Sequence, residues 1–189
     1  MNMQRITLPI LPLSLFLLPG GITRLRIFES RYLKMVRIAS QGQGFVIQLH
    51  HKETKVSNKA WGSWVEIINF SQAEDGILEI DVKCKSLVEI ESTYSDIDNL
   101  QHGDIKAMEH WSKTPATPVI DELSQSLQRV IESNYILREL YTETATDNPN
   151  WVVARWLEIL PVHLTHKNVF IDKLTFEESK DFVKAIIYK

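Results

Sequence analysis

Cysteine is nearly absent from this chain: Cys84 is the only one in 189 residues. An intramolecular disulfide is therefore impossible, a four-cysteine zinc site is excluded, and the composition fits a reducing cytoplasm. Glycine is scarce too, with seven residues, and none stands in the glycine-rich turn before Lys-Ser/Thr that a phosphate-binding loop needs. No Gly-x-Ser-x-Gly elbow presents a nucleophile. An excess of one charge is also lacking, since the net charge is −3, with thirteen basic and thirteen acidic residues before Ala116 and eight and eleven after it. Neither part has the surplus of cations that a phosphate backbone attracts, which argues against nucleic acid as a partner. Apolar runs fall short of the ~20 residues needed to cross a bilayer, so a membrane is not expected either. The apolar N-terminus is interrupted by Pro9, Pro12 and Pro19, has Arg5 as its one nearby cation and lacks a small-residue cleavage site. It is read as folded structure and not as a signal peptide.

What is present is enough apolar material, 44% of residues, to bury a core. The first part reads as strands with one helix inserted. Ile6 to Ile10 is β-branched and bounded by proline, which places it at a sheet edge or barrel rim because proline cannot donate to a ladder. Pro19-Gly20-Gly21 is a turn, and Thr23 to Ile27 alternates as a half-buried strand should. Tyr32, Met35, Val36 and Ala39 then share one helical face, and Gly42 and Gly44 end that helix. Further strands are predicted at Phe45–Leu49, Trp61–Phe70, Ile77–Val82, Leu87–Tyr94 and Asp104–Trp111, with a polar loop from His50 to Lys59. Past Pro115 the period becomes helical: Thr117-Pro118 opens one helix, Asn148-Pro149 another that Pro161 stops, and Thr175-Phe176-Glu177-Glu178 fits a capping box. The expected division is therefore a β-rich domain, residues 1–114, and a helical domain, residues 115–189.

Chemistry-bearing patterns are sparse. His163 and His166 stand three apart and His50-His51 form a second pair, but Pro161 disfavours a helix there and no carboxylate or cysteine sits at a ligand spacing, so no metal is expected. Cys84 lies between Lys83 and Lys85, yet alternation turns it to the opposite face, where it is buried and inert. Lys52, Lys55 and Lys59 make a basic loop without the interleaved aromatics that stack bases. Trp61 and Trp64 fall on opposite faces of their strand, and with Phe16 they are the candidate contacts for an apolar polypeptide.

Leu8-Pro9-Ile10-Leu11-Pro12-Leu13, Pro19-Gly20 and Phe28-Glu29-Ser30-Arg31-Tyr32 at the front, with Glu158-Ile159-Leu160-Pro161 and Lys167 at the back, form a pattern. It resembles the LON substrate-binding domain, the N-terminal module of ATP-dependent Lon proteases that also occurs as a small stand-alone bacterial protein. The resemblance implies an α+β fold, a PUA-like pseudo-barrel with an inserted helix followed by a C-terminal helical bundle. It also implies a cytoplasmic, non-catalytic module without cofactor that binds unfolded or exposed apolar segments in a groove between barrel and bundle. A full-length Lon protease acting in trans is a further partner it suggests, since the sequence ends before the ATPase and protease domains. The motif residues Pro12, Pro19, Gly20, Phe28, Glu29, Arg31, Tyr32, Glu158 and Pro161 are expected to be architectural, with Phe28 and Tyr32 packing on one helix face and Glu29 and Arg31 finding separate partners. Two alternatives stay open: a hydrolase whose site assembles only in three dimensions, and RNA binding through the barrel.

Overall fold

The computed structural model describes residues 6–49 and 60–188, which leaves His50, Lys52, Lys55 and Lys59 outside the described residues. The chain divides into two compact units, Met1–Met108 and Glu109–Lys189. This division falls before the expected one at residue 114, because residues 109–111 make their contacts with later helical segments. Lys173 Nζ donates to Glu109 at 2.7 Å, and the Trp111 ring meets Phe176 edge-on at 5.3 Å.

The first unit contains β1 (Ile6–Leu13), β2 (Ile22–Ile27), α1 (Ser30–Ala39), β3 (Phe45–Leu49), β4 (Ala60–Gln72), β5 (Leu78–Ser95) and β6 (Gln101–Met108). The sheet order is β2-β5-β4-β3-β1-β6, and β6 pairs back onto β5. Five strands thus form a closed ring, with β2 added where β5 extends past it. Leu8, Ile10, Val46, Val88, Ile90 and Ile105 make a buried apolar cluster drawn from four of the ring strands, against which Ile6 and Trp64 pack. Full burial of each such side chain contributes about 1.5–3 kcal/mol.

Three sequence expectations change here. The segment from Ile6 is not a sheet edge: β6 pairs with Ile6–Ile10 in antiparallel fashion and β3 with Ile10–Leu13 in parallel. The partners exchange at Ile10, so Pro9 and Pro12 each lie where one partner alone is paired, and a missing N–H is tolerated on the other flank. The strands predicted at Ile77–Val82 and Leu87–Tyr94 are one eighteen-residue strand, β5, since nothing between them breaks an extended chain. Finally, β6 ends at Met108, short of Trp111.

Two glycines place the connections. Gly20 takes φ +82°, and the Pro19–Gly21 turn bonds to β5 through Gly20 N–H to Cys84 O and Cys84 N–H to Gly21 O, both 2.8 Å. Gly44 takes φ +72°, and a Cβ there would collide with the Val65 carbonyl oxygen, so this backbone approach needs glycine.

The second unit contains α2 (Pro118–Ser133), α3 (Tyr135–Leu140), α4 (Pro149–Ile159), α5 (Leu164–Lys167), a 3-10 turn (Asn168–Ile171) and α6 (Phe176–Ile187). Proline opens α2 and α4, where a missing N–H costs nothing, and Asn148 Oδ1 caps α4 by accepting from Asn150 and Trp151 N–H. Ile120, Leu123, Leu127 and Ile131 bury one stripe of α2, and Trp156 Nε1–H on α4 donates to Leu123 O at 2.9 Å. The capping box at Thr175 does not form: its hydroxyl donates to Asp172 O at 2.7 Å and accepts from Trp111 Nε1–H at 3.3 Å. A short helix does follow Pro161, capped by His163.

Candidate functional site

The three aromatic residues expected to meet a polypeptide have different surroundings. Phe16 and Trp61 are buried and pack edge-to-face with ring centres 6.0 Å apart, which leaves little ring surface for a partner. Trp64 is half-buried; its Nε1–H donates to Gln43 O at 2.6 Å and Lys85 Nζ lies 4.5 Å from the ring centre.

The motif around α1 departs from helical geometry at its start. Phe28 precedes the helix and is 69% exposed, so it does not share a buried face with Tyr32. Glu29 and Arg31 pair with each other, Arg31 Nε to Glu29 Oε2 at 2.9 Å, because Glu29 is the extended N-cap residue and not part of the helix. Arg31 also lies over the Tyr32 ring at 4.7 Å, and burial pushes the Tyr32 hydroxyl pKa up against the pull of Arg31.

At the other end of the motif, Glu158 accepts both arms of Arg155, Nε to Oε2 and Nη2 to Oε1 at 2.7 Å each. Arg155 is 0% exposed and faces the Trp151 ring at 5.5 Å. Lys167, also buried, donates to Glu158 O at 3.2 Å, and burial lowers its pKa against the attraction of Glu158. Leu160 is extended before Pro161, which ends α4. The Lys167 bond to Glu158 O links α5 back to α4.

Apolar side chains of the first unit are also exposed at the turn between β5 and β6 and on the neighbouring face of α1. Ile97, at the turn between β5 and β6, is 96% exposed, and Leu33 on α1 is exposed too. Leu33 lines an open groove with Ser30, Arg31, Lys34, Arg37, Asp98 and Asn99. The turn has a built-in frame: Asp96 Oδ1 accepts from Asp98 N–H at 2.9 Å and Leu100 N–H at 3.0 Å, while Asn99 adopts φ +58°. Lys34 ties it to α1, bonding Asp96 Oδ2 at 2.8 Å and also Asp98. His102 Nε2 meets Asp96 Oδ2 at 3.1 Å, and its ring stacks on Tyr94. Lys34, opposed by burial and aided by His102 and the turn amides, holds the Asp96 carboxyl well below the usual range; Asp96 and then Asp98 raise Lys34. Sequence reading missed Ile97, although an isoleucine flanked by Asp96, Asp98 and Asn99 was a signal, since turn residues are otherwise polar.

Catalytic groupings are thin among the described residues. Cys84 is buried. Thr165 Oγ1 lies 2.7 Å from His163 Nδ1, but the same nitrogen faces Thr165 N–H at 3.4 Å, so the contact caps a four-residue helix. Among the described residues, no group of three or more His, Cys, Asp or Glu could hold a metal ion, and no helix is long and apolar enough to cross a membrane. Several cations of the first unit are engaged by carboxylates: Arg24 with Asp81, Arg26 with Asp75 and Lys34 with Asp96.

A family model, that of the ATP-dependent protease La (LON) substrate-binding domain, matches residues 7–170. Among solved structures, the chain is similar to the crystal structure of a Lon N-terminal domain protein from Xanthomonas campestris, at 24% identity and a TM-score of 0.71, covering 95% of this chain and 98% of that one. It is also similar to the N-terminal domain of a Mycobacterium avium complex Lon protease, at 12% identity and a TM-score of 0.63, covering 95% and 97%. Both likenesses show a shared fold. No individual curated protein matches.

Proposed function

The chain belongs to the LON substrate-binding domain family, and from that premise we propose that it is a non-catalytic module recognising unfolded or exposed apolar polypeptide segments. The family match carries this reading. The strand ring with α1 inserted between β2 and β3 supports a PUA-like pseudo-barrel, and α2 to α6 support a helical bundle beyond it. In this reading the protein works in the cytoplasm and delivers its polypeptide to a Lon protease in trans. One contact surface is the region beside α1: Leu33 lines the groove there and Ile97 offers apolar area on the neighbouring turn, whose backbone is already ordered by Asp96, so little entropy is lost on binding. Burial supports reading Phe16 and Trp61 as packing residues.

The test is a fluorescence-anisotropy titration with a permanently unfolded polypeptide and its folded parent at two salt concentrations. Selective, nearly salt-insensitive binding of the unfolded chain that weakens on Ile97→Ser is the expected outcome. Equal binding of both, or of neither, would remove the proposal.

A further inference from the structure

The run Glu66-Ile67-Ile68-Asn69-Phe70-Ser71-Gln72 is rich in strand-forming residues and has no proline, lysine or arginine. It forms the second half of β4. One flank pairs with β5 as far as Gln72↔Leu78, but β3 covers the other flank only up to Val65, where the Gly44 turn departs. Beyond that point, among the described residues, the outer flank of seven residues, about 23 Å at ~3.3 Å each, has no strand partner. A register shift between Ile67 and Asn69 leaves Ile68 outside the β5 pairing; Ile68 is 47% and Phe70 52% exposed. β2, the end strand of the sheet order, is different: it carries Arg24 and Arg26, fastened to Asp81 and Asp75. Charged side chains of that kind blunt an edge against further strands. Glu66 is the only charge on the β4 edge.

We infer that the outer edge of β4 from Glu66 to Gln72 captures an extended polypeptide segment by strand addition, with apolar side chains of that segment lying against Ile68 and Phe70. The inference rests on the polypeptide-recognition reading and supplies its chemistry. Unpaired backbone N–H and C=O groups in strand spacing are complementary to another extended backbone and little else. They are indifferent to the partner's sequence, as a receptor for many unfolded chains requires. A second copy of this protein is a poorer occupant: an edge this short and one strand deep falls below the ~1,000 Å² that a stable interface needs, whereas a flexible segment can follow the bulge at Ile68.

The test uses a fluorescent seven-residue peptide alternating Val and Thr, and the same peptide N-methylated at alternate amides so that it cannot donate toward β4. The full-length protein is the receptor. The plain peptide is expected to bind, with the methylated one about tenfold weaker or more, the loss of about two backbone hydrogen bonds. Ile68→Lys and Phe70→Lys, both exposed changes checked for unaltered Tm, are expected to weaken the plain peptide similarly, while Leu174→Ser, an exposed change in the second unit, is not. Equal binding of the two peptides to the wild-type protein, or undiminished binding by both lysine variants, overturns the inference. If the unfolded polypeptide binds and the plain peptide does not, the edge is wrong and the polypeptide-recognition reading stands; if neither binds, both fall. Self-association abolished by the lysine variants, without peptide binding, would assign the edge to a second copy and also overturn it.

Discussion

In the strand-rich unit, cations stay at the surface and are held there by carboxylates from distant strands or turns: Arg24 by Asp81, Arg26 by Asp75, and Lys34 by Asp96 and Asp98. In the helical unit Arg155 and Lys167 are taken inside, against Glu158. The contrast follows from the backbone. Where its strands pair, the ring satisfies their N–H and C=O groups, and alternating apolar residues fill its interior, so charge is left for tying turns and edges. The helical unit has short elements at α5 and the 3-10 turn, and a buried guanidinium with a buried ammonium fixes where they return to α4. Losing a surface pair in the first unit should therefore cost little, and losing a buried one in the second should cost much.

Glu158→Ala is the sharpest way to break this comparison. It strands Arg155 inside the helical unit and is expected to destabilise the protein by about 3–5 kcal/mol in chemical denaturation; an effect within about 1 kcal/mol would place the Arg155 charge in contact with water. Asp81→Ala comes next. Burial pushes the Asp81 pKa up, but bonds from Arg24 and Asn69 outweigh it and leave the carboxyl below its usual value. Its removal should cost about 1–3 kcal/mol, less than Glu158, because Arg24 retains access to water.

Acid then separates the units. Burial lowers the His110 pKa below 6.5, against its bond to Phe170 O, with Arg155 adding to the depression. The unfolded chain binds the proton first, so the His110 contribution is complete above about pH 6.5 and is lost as pH falls through the folded value. Asp96 is also depressed, but from 3.8, so its contribution is retained until pH falls below that. Between pH 7 and 5, amide protection factors, corrected for the intrinsic pH dependence of exchange, should therefore fall in the helical unit and stay unchanged at the 96–99 turn. Matching changes in both units would refute the assignment. The smallest stability effect is expected for Ile97→Ser, within about 0.5 kcal/mol by thermal denaturation, since its side chain has almost no contacts to lose.

Much of the local structure was legible from residue order. Phe45–Leu49 is a strand with the predicted bounds, α2 opens at Thr117-Pro118, α4 at Asn148-Pro149, and Cys84 is buried while Lys83 and Lys85 face water. Each of these rests on periodicity or on a start signal carried by neighbouring residues. The family resemblance was legible as well, because Pro19-Gly20 and the residues near α1 meet local backbone demands such as the positive φ of Gly20. The surface was much less so. Alternation places Trp61 on one face of β4, but says nothing of Phe16 arriving from before β2 to cover it. An arginine inside Val152–Leu157 reads as a break in an apolar run until Glu158 and the fold around it close over the charge.

The order of strands and helices, the apolar face of each and the places where they start were thus set by chain-local chemistry, in which a few adjacent residues suffice. Closure of the ring by β5 and β6, the exchange of partners at Ile10, the exposure of Ile97 and the open flank of β4 came from assembly alone. Periodicity says which face of an element avoids water. Which distant segment covers that face, and which edge is left without a partner, depends on contacts between residues far apart in the chain.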